Sequence, residues 1–98
     1  MPIVALHDRA ILSLLNNQQA IVAIPSLQSF QARLKEAQKG CGCHRGSKLN
    51  LISEEVKRVV SALPAESKQA LKQALGYGDK TVRIYQRTAD NKVISVDF

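Results

Sequence analysis

The stretch Thr81-Val82-Arg83-Ile84-Tyr85-Gln86-Arg87-Thr88-Ala89-Asp90-Asn91-Lys92-Val93-Ile94-Ser95-Val96-Asp97-Phe98 decides the fold class. Its apolar residues recur at every second position, the period of a half-buried strand. A three-residue loop at Ala89-Asp90-Asn91, with Asn91 tolerating the left-handed conformation, pairs Thr88 with Lys92. Val82 then faces Phe98, Ile84 faces Val96 and Gln86 faces Ile94. The other face carries Arg83 opposite Asp97, Tyr85 opposite Ser95 and Arg87 opposite Val93. A loop one residue longer or shorter would mix the two faces, so the register is well specified. An isolated hairpin is marginal in water, and the apolar face must therefore pack on helices.

The preceding residues supply those helices. Ile52, Val56, Val59, Val60 and Leu63 form one helical stripe, for which Asn50 or Ser53 is the expected N-cap, with Glu54 and Glu55 in the first turn. Pro64 opens a second helix that closes at Gly76, and the tight Leu63-Pro64 joint predicts a helical hairpin or corner over 49–76. Upstream, Leu27, Phe30, Leu34 and Ala37 share a face that ends at Gly40. Ile3, Val4 and Leu6 lead into Ala10, Ile11, Leu14 and Leu15 at helical spacing. The amide run Asn16–Gln19 and the β-branched Ile21, Val22 and Ile24 leave residues 20–24 open between helix and strand. The expected architecture is α+β: a single domain over 1–98, with three or four short helices packed against a C-terminal antiparallel β-hairpin at 81–98. Residues 1–39 form the N-terminal helical part, and 40–48 form a loop.

Composition narrows the function classes. Ninety-eight residues with 45% apolar content suit one folded domain. Fourteen Lys and Arg against eight Asp and Glu give a net charge of +6, which favours an anionic partner and says nothing of fold. No charge falls between Ala10 and Ala32, but the amides and Pro25 interrupt that stretch too early for a membrane span. It also reads poorly as a leader peptide. The expectation is a cytoplasmic protein or a virion component, with no membrane partner.

Gly40-Cys41-Gly42-Cys43-His44-Arg45-Gly46-Ser47-Lys48 is the most unusual segment. Thiolate and imidazole are ligands of zinc, and Cys41 and His44 stand at a chelating spacing. Cys43 is adjacent to His44 and would need a sharp turn to join them. His7 is the remaining candidate for a fourth ligand. A reduced, metal-free loop is the plainer reading, so the chain is assigned no required cofactor, with zinc as the alternative. A Cys-x-Cys redox pair is the weaker option, because no βαβ pattern surrounds it. The glycine spacing fits neither the P-loop nor the dinucleotide fingerprint.

What remains is charge. From Lys39 to Lys48 the fixed cations Lys39, Arg45 and Lys48 stand without a carboxylate. Arg83, Tyr85 and Arg87 project from one strand face, the chemistry of a stacking platform for single-stranded nucleic acid. These six residues are the candidate contacts for an anionic partner. His7, Asp8 and Ser13 suggest hydrolysis, but no nucleophile elbow or positioned acid accompanies them, and no enzymatic activity is expected. In general look, a short basic chain with a Cys-Gly-Cys loop, the sequence is similar to small accessory proteins of phages. That likeness implies a virion or accessory component and gives no residue a role. The expected function is a non-enzymatic interaction or structural module of a larger assembly, contacting an anionic partner through the basic Gly/Cys loop; the partner is a protein or the larger assembly, with nucleic acid as a further candidate. The alternative is a nucleic-acid-binding regulator with a zinc-stabilised Cys/His loop.

Overall fold

The computed structural model describes residues 3–39 and 45–98. Strand β1 (Ile3–Leu6) is followed by helices α1 (Asp8–Leu14) and α2 (Gln18–Ala23), a 3₁₀ turn at Pro25–Leu27, and α3 (Gln28–Lys39). Helices α4 (Arg45–Ser61) and α5 (Ala65–Ala74) then lead to strands β2 (Thr81–Arg87) and β3 (Val93–Asp97). The α+β class is as expected from the sequence. The sheet, however, has three strands in the order β1-β2-β3 and is not a hairpin alone.

β2 and β3 pair antiparallel with Arg83 opposite Asp97, Ile84 opposite Val96, Tyr85 opposite Ser95, Gln86 opposite Ile94 and Arg87 opposite Val93. Val82 and Phe98 exchange both backbone hydrogen bonds, and the Thr88 N–H donates to the Lys92 carbonyl. Asn91 takes the left-handed conformation at φ 64° that the short loop demands. β1 runs parallel to β2, from Ile3 beside Thr81 to Leu6 beside Ile84. The opening apolar residues therefore form a strand, whereas the sequence reading ran them into the first helix. Val4 and Leu6 join Val82 and Ile84 on the face covered by helices, while Ile3 and Ala5 fall on the open face. β2 is thus the central strand, and Val82 and Ile84 are fully buried while Ile94, on the edge strand, is 46% exposed.

The amide run resolves as a helix break. Asn17 Oδ1 accepts the N–H groups of Gln19 and Ala20, capping α2, so residues 20–23 are helical. This break and cap split the N-terminal part into more helices than the sequence reading counted. α4 begins at Arg45, where the sequence reading placed a loop up to residue 48. Asn50 and Ser53 are consequently interior to the helix and not its caps, and Glu54 and Glu55 lie mid-helix, outside the first turn. Leu49 packs half-buried against the core, extending the Ile52–Val56–Val60 stripe towards the helix start. α5 ends in a Schellman motif: the Tyr77 N–H reaches the Lys72 carbonyl and the Gly76 N–H reaches the Gln73 carbonyl, with Gly76 at φ +80°. α4 packs on α1, α3 and β2, whereas α5 packs on α2.

The two strand faces make the fold testable. Ile84→Asp places an unpaired charge at a fully buried site and should cost more than about 4 kcal/mol. Val96→Asp, at a half-buried edge position, should cost visibly less. Arg87→Ala on the open face should stay within about 0.5 kcal/mol. Urea midpoints of the three variants check the order, and equal losses on both faces would refute it.

Candidate functional site

Lys39 is the last residue of α3, and Arg45 is the first of α4. The two helices pack together, and their linked ends gather Lys35, Lys39 and Lys48, all exposed. Among the described residues no carboxylate lies within ion-pair distance of these three lysines. The segment Gly40–His44, with the candidate zinc ligands Cys41, Cys43 and His44, lies outside the described residues, as does the Arg45 side chain. Arg45 and Lys48 are at the start of a helix with no acid in its first turn, so the helix dipole disfavours them there. Lys39 sits at a helix C-terminus, where the dipole favours it.

Most acids are held elsewhere. Glu55 pairs with Arg33 between α4 and α3, Asp90 faces Lys92 across the hairpin loop, and Asp97 takes a two-pronged contact from Arg83. The Arg83–Asp97 bonds, 2.8 and 3.0 Å, hold the Asp97 carboxyl below the usual carboxylate range and push the guanidinium pKa up. Of the sheet-face candidates, Arg83 is therefore neutralised in place. Arg87 donates to the Asn91 side chain at 2.8 Å. The Tyr85 ring stacks on His7, with centroids 5.9 Å apart and planes at 10°. That contact also places the candidate fourth zinc ligand, His7, on the open face of the sheet.

The sequence reading missed an ion cluster built on a buried lysine. Lys57, its side chain only 7% exposed, reaches Asp8 at the start of α1 and Glu54 one turn back on α4, the latter at 3.3 Å. Ser53, fully buried, donates its hydroxyl to the same Asp8 oxygen at 3.2 Å. The Ser53 and Lys57 spacing puts both on one helix face, a signal visible in the sequence. Asp8 lies far upstream, and no periodicity connects it to them. The cluster anchors α1 to α4: its ammonium is sealed from solvent between two carboxylates, without access for a substrate.

A shallow cleft of about 670 Å³ lies at the C-terminal end of β1, lined by His7, Arg9, Ser13, Asn17 and Tyr77 with apolar neighbours. Ser13 is already bonded to the Arg9 carbonyl and Asn17 caps α2, so the cleft holds no assembled nucleophile and base. Among the described residues no group of three His, Cys, Asp or Glu side chains is placed to hold a metal ion. No described helix is long and apolar enough to cross a membrane. No protein-family model matches the chain, and no curated protein or solved structure is significantly similar to it.

Lys57 and Ser53 lower the Asp8 carboxyl below its ordinary 3.8, with the Lys57 hydrogen bond as the largest cause. The lowered pKa means that Asp8 contributes stability above 3.8, and that this is lost as the pH falls through the folded value. Asp8 is half exposed and Glu54 remains as a second partner for Lys57, so Asp8→Asn should cost only about 1 kcal/mol at neutral pH. The gap between variant and wild-type urea midpoints should close as the pH drops below 3.8. A gap that persists under acid would show that packing, and not charge, carries the contact.

Proposed function

We propose that the chain is a non-enzymatic interaction module of a larger assembly, docking on an anionic surface of a protein partner through the basic end of α3 and α4. The observation that carries this reading is the grouping of Lys35, Lys39 and Lys48 at one end of the molecule, exposed and with no ion-pair partner among the described residues. Arg45, the first residue of α4, adds a fourth cation to the sequence at this end. Cations placed against a helix dipole gain from an incoming carboxylate twice, through its charge and through the free N–H groups of the first turn. Long-range attraction of this kind speeds encounter more than it deepens affinity, which suits a component recruited into an assembly.

A protein partner is favoured over nucleic acid because the sheet face offers a poor stacking platform. Its one ring is occupied by His7, and its first arginine is matched by Asp97. The reading needs no metal, catalytic group or membrane contact.

The triple change Lys39→Ala, Arg45→Ala and Lys48→Ala tests it. Affinity capture from the source cells, with wild-type and triple-variant protein as bait over a salt series, should show one partner whose retention weakens at least tenfold in the variant. The salt dependence of what remains should flatten. The melting temperature should hardly move, since exposed cations at these helix ends contribute little and with opposite signs. Unchanged retention would overturn the assignment. Tight binding of random-sequence duplex DNA with a steep salt slope would replace the protein partner with nucleic acid.

A further inference from the structure

β3 is an edge strand, and its outer edge carries little of the usual protection, since its one charge, Asp97, is taken up by Arg83. The sequence Val93-Ile94-Ser95-Val96-Asp97 has no proline, no lysine and no bulge. Val93 and Ile94 are 59% and 46% exposed. The hydrogen-bond phase of the hairpin shows what that edge offers. Val82 and Phe98 exchange both their bonds, and Thr88 bonds to Lys92. Alternation then makes Ile84–Val96 and Gln86–Ile94 the other hydrogen-bonded pairs. Val93, Ser95 and Asp97 therefore turn their N–H and C=O groups away from β2. Among the described residues nothing accepts or donates to them.

We propose that this edge pairs with the same edge of a second copy, closing a six-stranded sheet about a two-fold axis through Ser95. An antiparallel register centred on Ser95 is the one that engages all five residues of β3. It sets Ser95 opposite Ser95 of the second copy, Val93 opposite its Asp97 and Ile94 opposite its Val96. The outward backbone groups of Val93, Ser95 and Asp97 are then matched. Ile94 and Val96 fall in the non-hydrogen-bonded positions, where side chains approach closest, so the exposed Ile94 is covered by an apolar partner. No like charges face each other. The row on the open face runs Arg87, Val93, then Asp97 and Arg83 of the second copy, so the carboxylate keeps its own arginine on one side and meets Val93 on the other. Shifting the register so that Ile94 faces itself would put Lys92 against Val96 in the apolar row, which disfavours that slip.

A two-fold normal to the sheet keeps both helical layers on one side and both open faces on the other. The interface is isologous and self-limiting. It is also small, which places it among weak associations, with dissociation in the micromolar to millimolar range.

Sedimentation equilibrium of the full chain, from about 1 μM to about 1 mM, reads the mass directly. The expected result is a rise towards twice the monomer mass and no further. Ser95→Pro removes the outward N–H at the centre of the interface while leaving the bonds to β2 intact, because Ser95 sits opposite Tyr85 in a non-hydrogen-bonded pair. Ile94→Lys adds an edge charge at an exposed site and serves if the proline variant does not fold. Either folded variant should stay monomeric across the range. A wild type that remains monomeric at the highest concentration overturns the proposal. So does a dimer that survives Ile94→Lys, or a mass that grows beyond two copies.

Discussion

The structure depends on the parallel pairing of Ile3–Leu6 with Thr81–Ile84, which joins the first described residues to the C-terminal hairpin. That pairing turns β2 from an outer strand into a central one. Val82 and Ile84 are fully buried because strands flank them on both sides and helices cover their face. It also forces everything between the strands into a single crossover on one side of the sheet. The helices cannot spread over both faces, so the open face keeps Ile3, Arg83, Tyr85 and Val93 in reach of solvent. Such long-range strand closure is slow to form, since loop entropy is lost before the ladder stabilises. The Asp8–Lys57 contact pins α1, immediately after β1, to the long helix α4, which itself lies on β2. It therefore holds β1 in position from behind.

The sequence showed the hairpin in detail because its information is local. Period-two alternation and a loop with one left-handed residue specify a register without reference to the rest of the chain, and Asn91 adopts that conformation. β1 was hidden for the opposite reason. Four residues are too few for a period, and the partner of Ile3 is Thr81, at a distance that no local pattern spans. The Asn16–Gln19 run was ambiguous because amides serve equally in caps, turns and exposed helix; only the bonds from Gln19 and Ala20 to the Asn17 side chain decide between them. The start of α4 was set too late because Gly46 and Ser47 read as loop residues, whereas core contacts of Leu49 and Ile52 outweigh their weak propensity.

The candidate contacts divided along the same line. Lys39 and Lys48 keep the exposure that the charge run implied. Arg83 had its cross-strand acid identified by register alone, and the structure joins the two with paired hydrogen bonds. The stacking of Tyr85 on His7 was illegible, since it requires β1 to lie beside β2. The buried Lys57 was not singled out in the sequence, although a lysine four residues after a serine on an apolar helix face is a place where a buried partner is required.

Charge pairing and strand exposure give the molecule two distinct surface chemistries. A net charge of +6 spread evenly would attract any polyanion. Here five of the eight acids are drawn into pairs with Arg33, Lys57, Arg83 and Lys92. The end of α3 and α4 keeps Lys35, Lys39 and Lys48 exposed and without an ion-pair partner among the described residues. The β3 edge, with Asp97 held by Arg83 and Lys92 facing Asp90, is close to neutral. A neutral, hydrogen-bonding, β-branched edge is suited to a strand, and an isolated basic end is suited to carboxylates. The fold separates the two chemistries because β3 lies at one border of the sheet while the linked ends of α3 and α4 carry no strand residue, so occupation of one does not consume a residue of the other.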